Sequence, residues 1–135
     1  MMKRYYSYDE CINDCKILLP QIKSYNPDAL VSVARGGLVI GHLLCEALNT
    51  RNIYTINSIH YEDDKKLNTF DIFNIPDLSN FKKVVLIDDI IDSGETMVEI
   101  KKILTQKYPE CEFKIATIFY KTTAFVQAIE NRQGL

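Results

Sequence analysis

The stretch Val84-Val85-Leu86-Ile87-Asp88-Asp89-Ile90-Ile91-Asp92-Ser93-Gly94-Glu95-Thr96 decides how the chain is read. Its apolar opening suits a strand buried on both faces. The strand ends in two adjacent carboxylates, a short turn adds a third, and small residues then open a helix over about Glu95–Lys107. The first N–H groups of a helix have no partner within it. Those from Ser93 to Thr96 therefore point outward, and the helix dipole adds partial positive charge, so a phosphate is the natural guest. Gly94 lets the backbone come close, and the Ser93 and Thr96 hydroxyls supply further donors. Asp88 and Asp89 are acceptors at pH 7, matched to sugar hydroxyls or a hydrated magnesium ion. Phosphate donors beside hydroxyl acceptors describe a pocket for a sugar phosphate. Each feature alone also fits an ordinary acidic strand-to-helix loop; the ordered combination carries the inference. A Walker loop is excluded, since no Gly-Lys-Ser/Thr is present.

Working outward, Ser7-Tyr8-Asp9-Glu10 fits a capping box, so a helix starts near Tyr8 with Ile12, Cys15, Leu18, Leu19 and Ile22 as its apolar face. Pro20 inside that pattern predicts a kink or an early end. Asn26-Pro27-Asp28 is a turn, Ala29 to Val33 a short buried strand, and Ala34-Arg35-Gly36-Gly37 breaks it. Leu38 to Leu48 reads as a mostly apolar helix and Asn52 to Ile59 as a strand. From His60 to Asn80 the pattern weakens, with Glu62 to Lys66 suiting a solvated hairpin tip. Phe113 to Phe119 is a further strand, Thr123 to Arg132 reads as a short helix, and Asn131 to Leu135 as a polar tail. Apolar strands alternating with helices predict an α/β fold: a doubly wound, mostly parallel sheet with helices on both faces, in a single domain over residues 1–135. Ligands of such sheets sit at the carboxyl ends of the strands. That rim carries Arg35-Gly36-Gly37, Asp88-Asp89 with Asp92-Ser93-Gly94, and Lys121.

The chain has 135 residues, 47% of them hydrophobic and 25% charged, enough for one core, and a net charge of -2 that gives no global reason to bind nucleic acid. Met1 to Tyr6 carries positive charge with no apolar run behind it, so no secretory leader is expected, and no run approaches membrane-spanning length. Cys11 and Cys15 lie four apart, but a zinc site needs two more suitable ligands. Reduced thiols in a cytoplasmic protein are the preferred reading of the four cysteines.

The Val84–Thr96 pattern resembles the motif that binds phosphoribosyl pyrophosphate (PRPP) in type I phosphoribosyltransferases: apolar strand, two acidic residues, two apolar residues, then Asp-Ser/Thr-Gly-x-Thr. Val31 to Leu38 looks like that family's pyrophosphate loop and is closest to the xanthine-guanine and hypoxanthine, or purine, branch. Asn57-Ser58-Ile59-His60-Tyr61 falls where the branch begins its mobile catalytic loop. Ile118-Phe119-Tyr120-Lys121 falls where it carries a lysine that reads the purine 6-oxo group. The similarity runs from about Ala29 to Lys121, most of the chain.

The resemblance implies the type I fold and transfer of ribose 5-phosphate from PRPP to a purine base, a 6-oxopurine (guanine, xanthine or hypoxanthine) favoured, with pyrophosphate released and Mg2+ as cofactor, in nucleotide salvage. It assigns the 5-phosphate to Asp92, Ser93, Gly94, Glu95 and Thr96, the ribose hydroxyls and indirectly the metal to Asp88 and Asp89, and the pyrophosphate to Arg35, Gly36 and Gly37. Asp92 is the acid-base residue near N7 of the base, Lys121 the base-binding residue, and Ser58 and Tyr61 belong to the mobile loop. A cis peptide between Ala34 and Arg35 is implied, as is a homodimer or homotetramer. His42 is expected to be structural, and His60 has no assigned role. The sequence departs from the branch at its C-terminus: it has no Trp to stack on the base, and the hood is expected to be short or missing, with Phe125 a substitute ring at a different spacing. A second reading is a regulatory protein of the same fold that binds PRPP or nucleotides with little or no transfer. It predicts a basic face that the charge balance does not supply. A response-regulator-like domain is a third, but it leaves Arg35-Gly36-Gly37 without a purpose.

Overall fold

The computed structural model describes residues 7–62, 68–91, 95–119 and 122–126. The elements are α1 (Tyr8–Tyr25), β1 (Ala29–Ala34), α2 (Leu38–Ala47), β2 (Ile53–Glu62), β3 (Asn68–Phe73), β4 (Lys83–Ile91), α3 (Glu95–Lys107), β5 (Glu112–Phe119) and β6 (Thr122–Val126). They form one sheet in the order β3-β2-β1-β4-β5-β6. The four inner strands are mutually parallel, while β3 and β6 run antiparallel at the two edges.

The capping box predicted at the start of α1 is present: Ser7 Oγ accepts from Glu10 N–H and Glu10 Oε1 accepts from Ser7 N–H. The helix runs through Pro20 to Tyr25 and ends at Asn26, whose φ of 57° makes the left-handed cap.

Alternation along the strands sorts the core into two layers. Ala29, Val31 and Val33 of β1, Val84 and Leu86 of β4, and Phe113 and Ile115 of β5 pack with Met97, Ile100 and Leu104 of α3. The intervening Leu30, Val85, Ile87 and Ala116 face Cys11, Cys15, Leu18 and Ile22 of α1 and Ile40, Leu44 and Cys45 of α2. Each fully buried Leu or Ile contributes about 1.5–3 kcal/mol. Both faces must be covered, so the inner strands read as continuous apolar runs while the helices keep a period of 3.6.

One expectation is corrected. Thr123 to Arg132 was expected to be helical; residues 122–126 instead form β6, paired with β5 from Ile115↔Val126 to Phe119↔Thr122. The run Thr-Thr-Ala-Phe-Val is rich in strand-favouring side chains, and the open flank of β5 decides its state. The weakly patterned segment after His60 contains β3, which pairs with β2 as a hairpin from Asn57↔Phe73 to Glu62↔Asn68. The tip between those strands, including Asp63 to Lys66, lies outside the described residues.

Candidate functional site

The carboxyl rim of the sheet is built by the ends of β1, β2, β4 and β5. β1 stops at Ala34, followed by the three-residue loop Arg35–Gly37 and then α2. The Ala34–Arg35 peptide is cis, as the resemblance implied. Arg35 and Gly36 are exposed, whereas Gly37 is buried. A Cβ on Gly37 would lie 2.5 Å from Ile87 O and 3.0 Å from Val33 O. Since φ is -80° there, glycine is required for space rather than for its dihedral freedom. The loop thus sits directly against the backbone of β4 one residue before Asp88.

Gly37 was expected to offer its amide to a ligand. Its N–H donates instead to Val33 O at 2.8 Å, and Leu38 N–H donates to Arg35 O at 3.2 Å. Arg35 and Gly36 are the exposed residues of this loop. The local sequence could not disclose this division, because it depends on how α2 turns back onto β1.

β4 carries the second part of the site. Its pairing with β5 is regular from Lys83↔Glu112 to Ile87↔Ala116 and then slips, resuming at Ile90↔Ile118. Asp88 and Asp89 therefore share a β-bulge opposite Thr117. Bulges recur beside active sites because they re-aim side chains. Asp88 is 9% exposed, a carboxylate largely withdrawn from water at the edge of the core. Of Asp89 only the backbone belongs to the described structure, and Asp92, Ser93 and Gly94 lie outside it. Glu95 and Thr96 form the half-buried first turn of α3.

β2 reaches past its parallel partner, since Ala34 is level with Asn57 and five further residues continue in pairs with β3. Ser58 and Tyr61 lie on this projecting arm, Ser58 half-buried opposite Ile72 and Tyr61 opposite Thr69 by backbone register. Asn74 Nδ2 donates to Asn57 Oδ1 at 3.0 Å and pins the base of the arm. Lys121 falls between β5 and β6, outside the described residues. His42 is exposed on α2 beside Glu46, at 3.5 Å, away from the rim.

The four cysteines lie in the core. All four are free and buried, and burial, with Cys11 alongside, pushes the Cys15 thiol up to about 12. Protonated thiols are poor ligands and poor nucleophiles. No cluster of three or more His, Cys, Asp or Glu side chains stands ready for a metal among the described residues. No helix among them is long and apolar enough to cross a membrane. Two cavities, of about 440 and 260 Å³, open at the amino ends of the strands, far from the rim. The larger is lined by Lys23, Asn26 and Thr50 over an apolar floor and brings together no acid-base pair. The rim remains the candidate site, because chemistry-bearing residues from separate segments converge there.

A family model described as "Phosphoribosyl transferase domain" matches residues 3–126. A xanthine-guanine phosphoribosyltransferase of Cereibacter sphaeroides is 25% identical over 122 residues, covering 85% of this chain and 70% of that protein. Among solved structures, the Helicobacter pylori xanthine-guanine-hypoxanthine phosphoribosyltransferase superposes with a TM-score of 0.77 at 36% identity, over 88% of this chain and 79% of that one. A purine phosphoribosyltransferase from Pyrococcus horikoshii gives 0.71 at 29% identity, over 87% and 76%.

Proposed function

The chain belongs to the phosphoribosyl transferase domain family, and from that membership we propose that it moves ribose 5-phosphate from PRPP to a purine base and releases pyrophosphate. Guanine, xanthine or hypoxanthine is the preferred acceptor, in keeping with the names of its relatives. One observation carries the reading: the Arg35–Gly37 loop lies against Ile87 O, immediately before Asp88. A pyrophosphate loop and a ribose-binding carboxylate belong side by side, since the pyrophosphate leaves C1 of the ribose and the hydroxyls the carboxylate grips sit on the neighbouring C2 and C3.

In the proposed reaction pyrophosphate departs from C1 of the ribose and a base nitrogen attacks from the opposite face. The Arg35 fork binds phosphate oxygens in pairs, and with the Gly36 amide it neutralises the departing charge. Gly37 gives the loop its closeness to β4 and holds no oxygen. Asp88 and Asp89 accept from the 2- and 3-hydroxyls. The 5-phosphate rests on Ser93, Gly94, Glu95 and Thr96 at the start of α3, with Asp92 alongside, where amides and helix dipole favour an anion. Asp92 holds or moves a proton at N7 of the base. Lys121 donates to the 6-oxo group and so disfavours adenine. Ser58 and Tyr61, on the β2–β3 arm, close over the site and exclude water.

Magnesium fits this donor set. It is commonly held by one or two carboxylates together with substrate phosphates rather than by an all-protein cage, and the withdrawn Asp88 carboxylate at the rim is a donor of that kind. Asp88 and Asp89 would hold it, and when bound it supplies positive charge to the pyrophosphate. The free thiols agree with a cytoplasmic enzyme. A homodimer or homotetramer is the proposed assembly, with Leu38 and Val39, 42% and 52% exposed at the start of α2, available for a subunit contact.

The test is a turnover assay with PRPP and magnesium against guanine, xanthine, hypoxanthine, adenine, uracil and orotate in turn. Pyrophosphate release with at least one 6-oxopurine, and little with adenine, is expected. Binding of PRPP without release for any base would replace transfer by regulation, and absence of PRPP binding would end the reading altogether.

A further inference from the structure

We propose that Ser32 and Gly41 form the positioning pair that fixes the Arg35–Gly37 loop for pyrophosphate, an inference that rests on the function proposed above. Ser32 is 1% exposed, and its Oγ has no hydrogen-bond partner among the described residues. It lies on the α2 side of β1, the side of its neighbour Leu30. A Cβ on Gly41 would overlap Ser32 Oγ and lie 3.2 Å from Ser32 Cβ and 3.4 Å from Ile53 Cδ1. The hydroxyl thus occupies the space that the missing side chain leaves. A buried hydroxyl with no hydrogen bond among the described residues acts here through its size, as a stop that sets how closely α2 approaches β1.

The consequence reaches the loop directly. Gly37 and Gly41 are one turn apart on the same face of α2, joined by Gly41 N–H donating to Gly37 O at 2.9 Å. Gly37 is itself seated on Val33 O and Ile87 O. Only Arg35, Gly36 and Gly37 separate the strand from the helix. A loop so short, held at both ends, has no slack to absorb a movement of α2. Any change in the stop therefore redirects the Arg35 side chain and the Gly36 amide. A misplacement of about 1 Å in such a group is enough to cost roughly a hundredfold.

Three variants test this with calorimetric binding of magnesium pyrophosphate, binding of guanosine 5′-monophosphate, and Tm. The nucleotide engages the α3 and Asp88 portions without the loop, so it serves as the internal control. Ser32→Ala removes an unpartnered hydroxyl. It is expected to keep or raise Tm and yet weaken pyrophosphate binding several-fold, a combination that a merely structural serine does not give. Gly41→Ala is expected to weaken pyrophosphate binding by about tenfold or more, with nucleotide binding within about twofold. Ser32→Gly combined with Gly41→Ala moves the bulk from strand to helix and is expected to restore much of the loss. Unchanged pyrophosphate affinity in Ser32→Ala would overturn the proposal, as would parallel weakening of both ligands with Tm in the Gly41→Ala protein. If the unaltered protein ignored pyrophosphate, the function reading itself would fall and this inference with it, a result distinct from any difference between variants.

Discussion

Asp28 and Asp88 stand at opposite ends of the paired strands β1 and β4. At the amino end, Asp28 accepts from the backbone N–H groups of Lys82 and Lys83 at 2.7 and 2.9 Å. Those bonds, Lys82 first, hold its carboxyl below the ordinary carboxylate value. Around it the chain satisfies itself. Tyr25 Oη donates to Glu112 at 2.6 Å, Lys114 Nζ lies 4.6 Å from the Tyr25 ring centre, and Asn52 Nδ2 donates to Asp28 O. At the carboxyl end, Asp88 sits in a bulge, and Arg35 and Gly36 are exposed. The same residue type serves as a fastening at one edge and, in the proposed function, as a ribose-binding group at the other. What separates the two edges is that backbone N–H groups are spent on Asp28 at the amino edge, while Arg35 and Gly36 are exposed at the rim.

The contrast has a measurable form: rim substitutions should change chemistry without changing stability, and amino-edge substitutions should do the reverse. The largest effect is expected from Asp92→Asn, which should lower turnover by about 10²–10⁴-fold, the usual reach of an acid-base residue, with PRPP affinity nearly unchanged. Equal turnover in the two proteins would remove Asp92 from the mechanism. Arg35→Ala comes next. Loss of a charge-assisted contact worth about 1.5–3 kcal/mol should weaken PRPP and pyrophosphate binding by about 10- to 100-fold, with Tm unmoved because the side chain is exposed. A falling Tm would make Arg35 part of the fastening. The smallest effect belongs to Asp28→Ala: about 1 kcal/mol or less of stability at pH 7, discounted for its exposure, with activity per folded molecule unchanged. Folding lowers the Asp28 pKa below its ordinary 3.8. Its contribution is therefore present above that value and is lost as pH falls through the folded-state pKa. The Tm gap between Asp28→Ala and the unaltered protein should accordingly be constant near neutrality and close only in strong acid. A gap that closed near pH 7 would assign the stabilisation to another group.

Much of this was legible before any coordinate. The inner strands, the three helices and the rim follow from apolar runs, caps and breakers, because each element there must bury a face and its period records the obligation. What the sequence concealed depends on pairing over distance. Thr122 to Val126 carries a pattern compatible with either state, and the flank of β5 chooses the strand. The slip at Asp88 and Asp89 exists only relative to β5. The resemblance implies a donor at Gly37, yet the turn of α2 onto β1 consumes its N–H and leaves its missing side chain as the contribution. The contact between Ser32 and Gly41 joins residues nine positions apart in different elements, which no local period records.

The antiparallel strands that flank the sheet carry a consequence for solubility. Inner strands β2, β4 and β5 have ten, nine and eight residues, whereas the flanking β3 and β6 have six and five. Unpaired ladder groups invite another chain to add on, and among the described residues that invitation falls on two short strands. Removing β6 would uncover the flank of β5, which is longer and backed by the main apolar layers, and would convert a sealed sheet into a template for self-association.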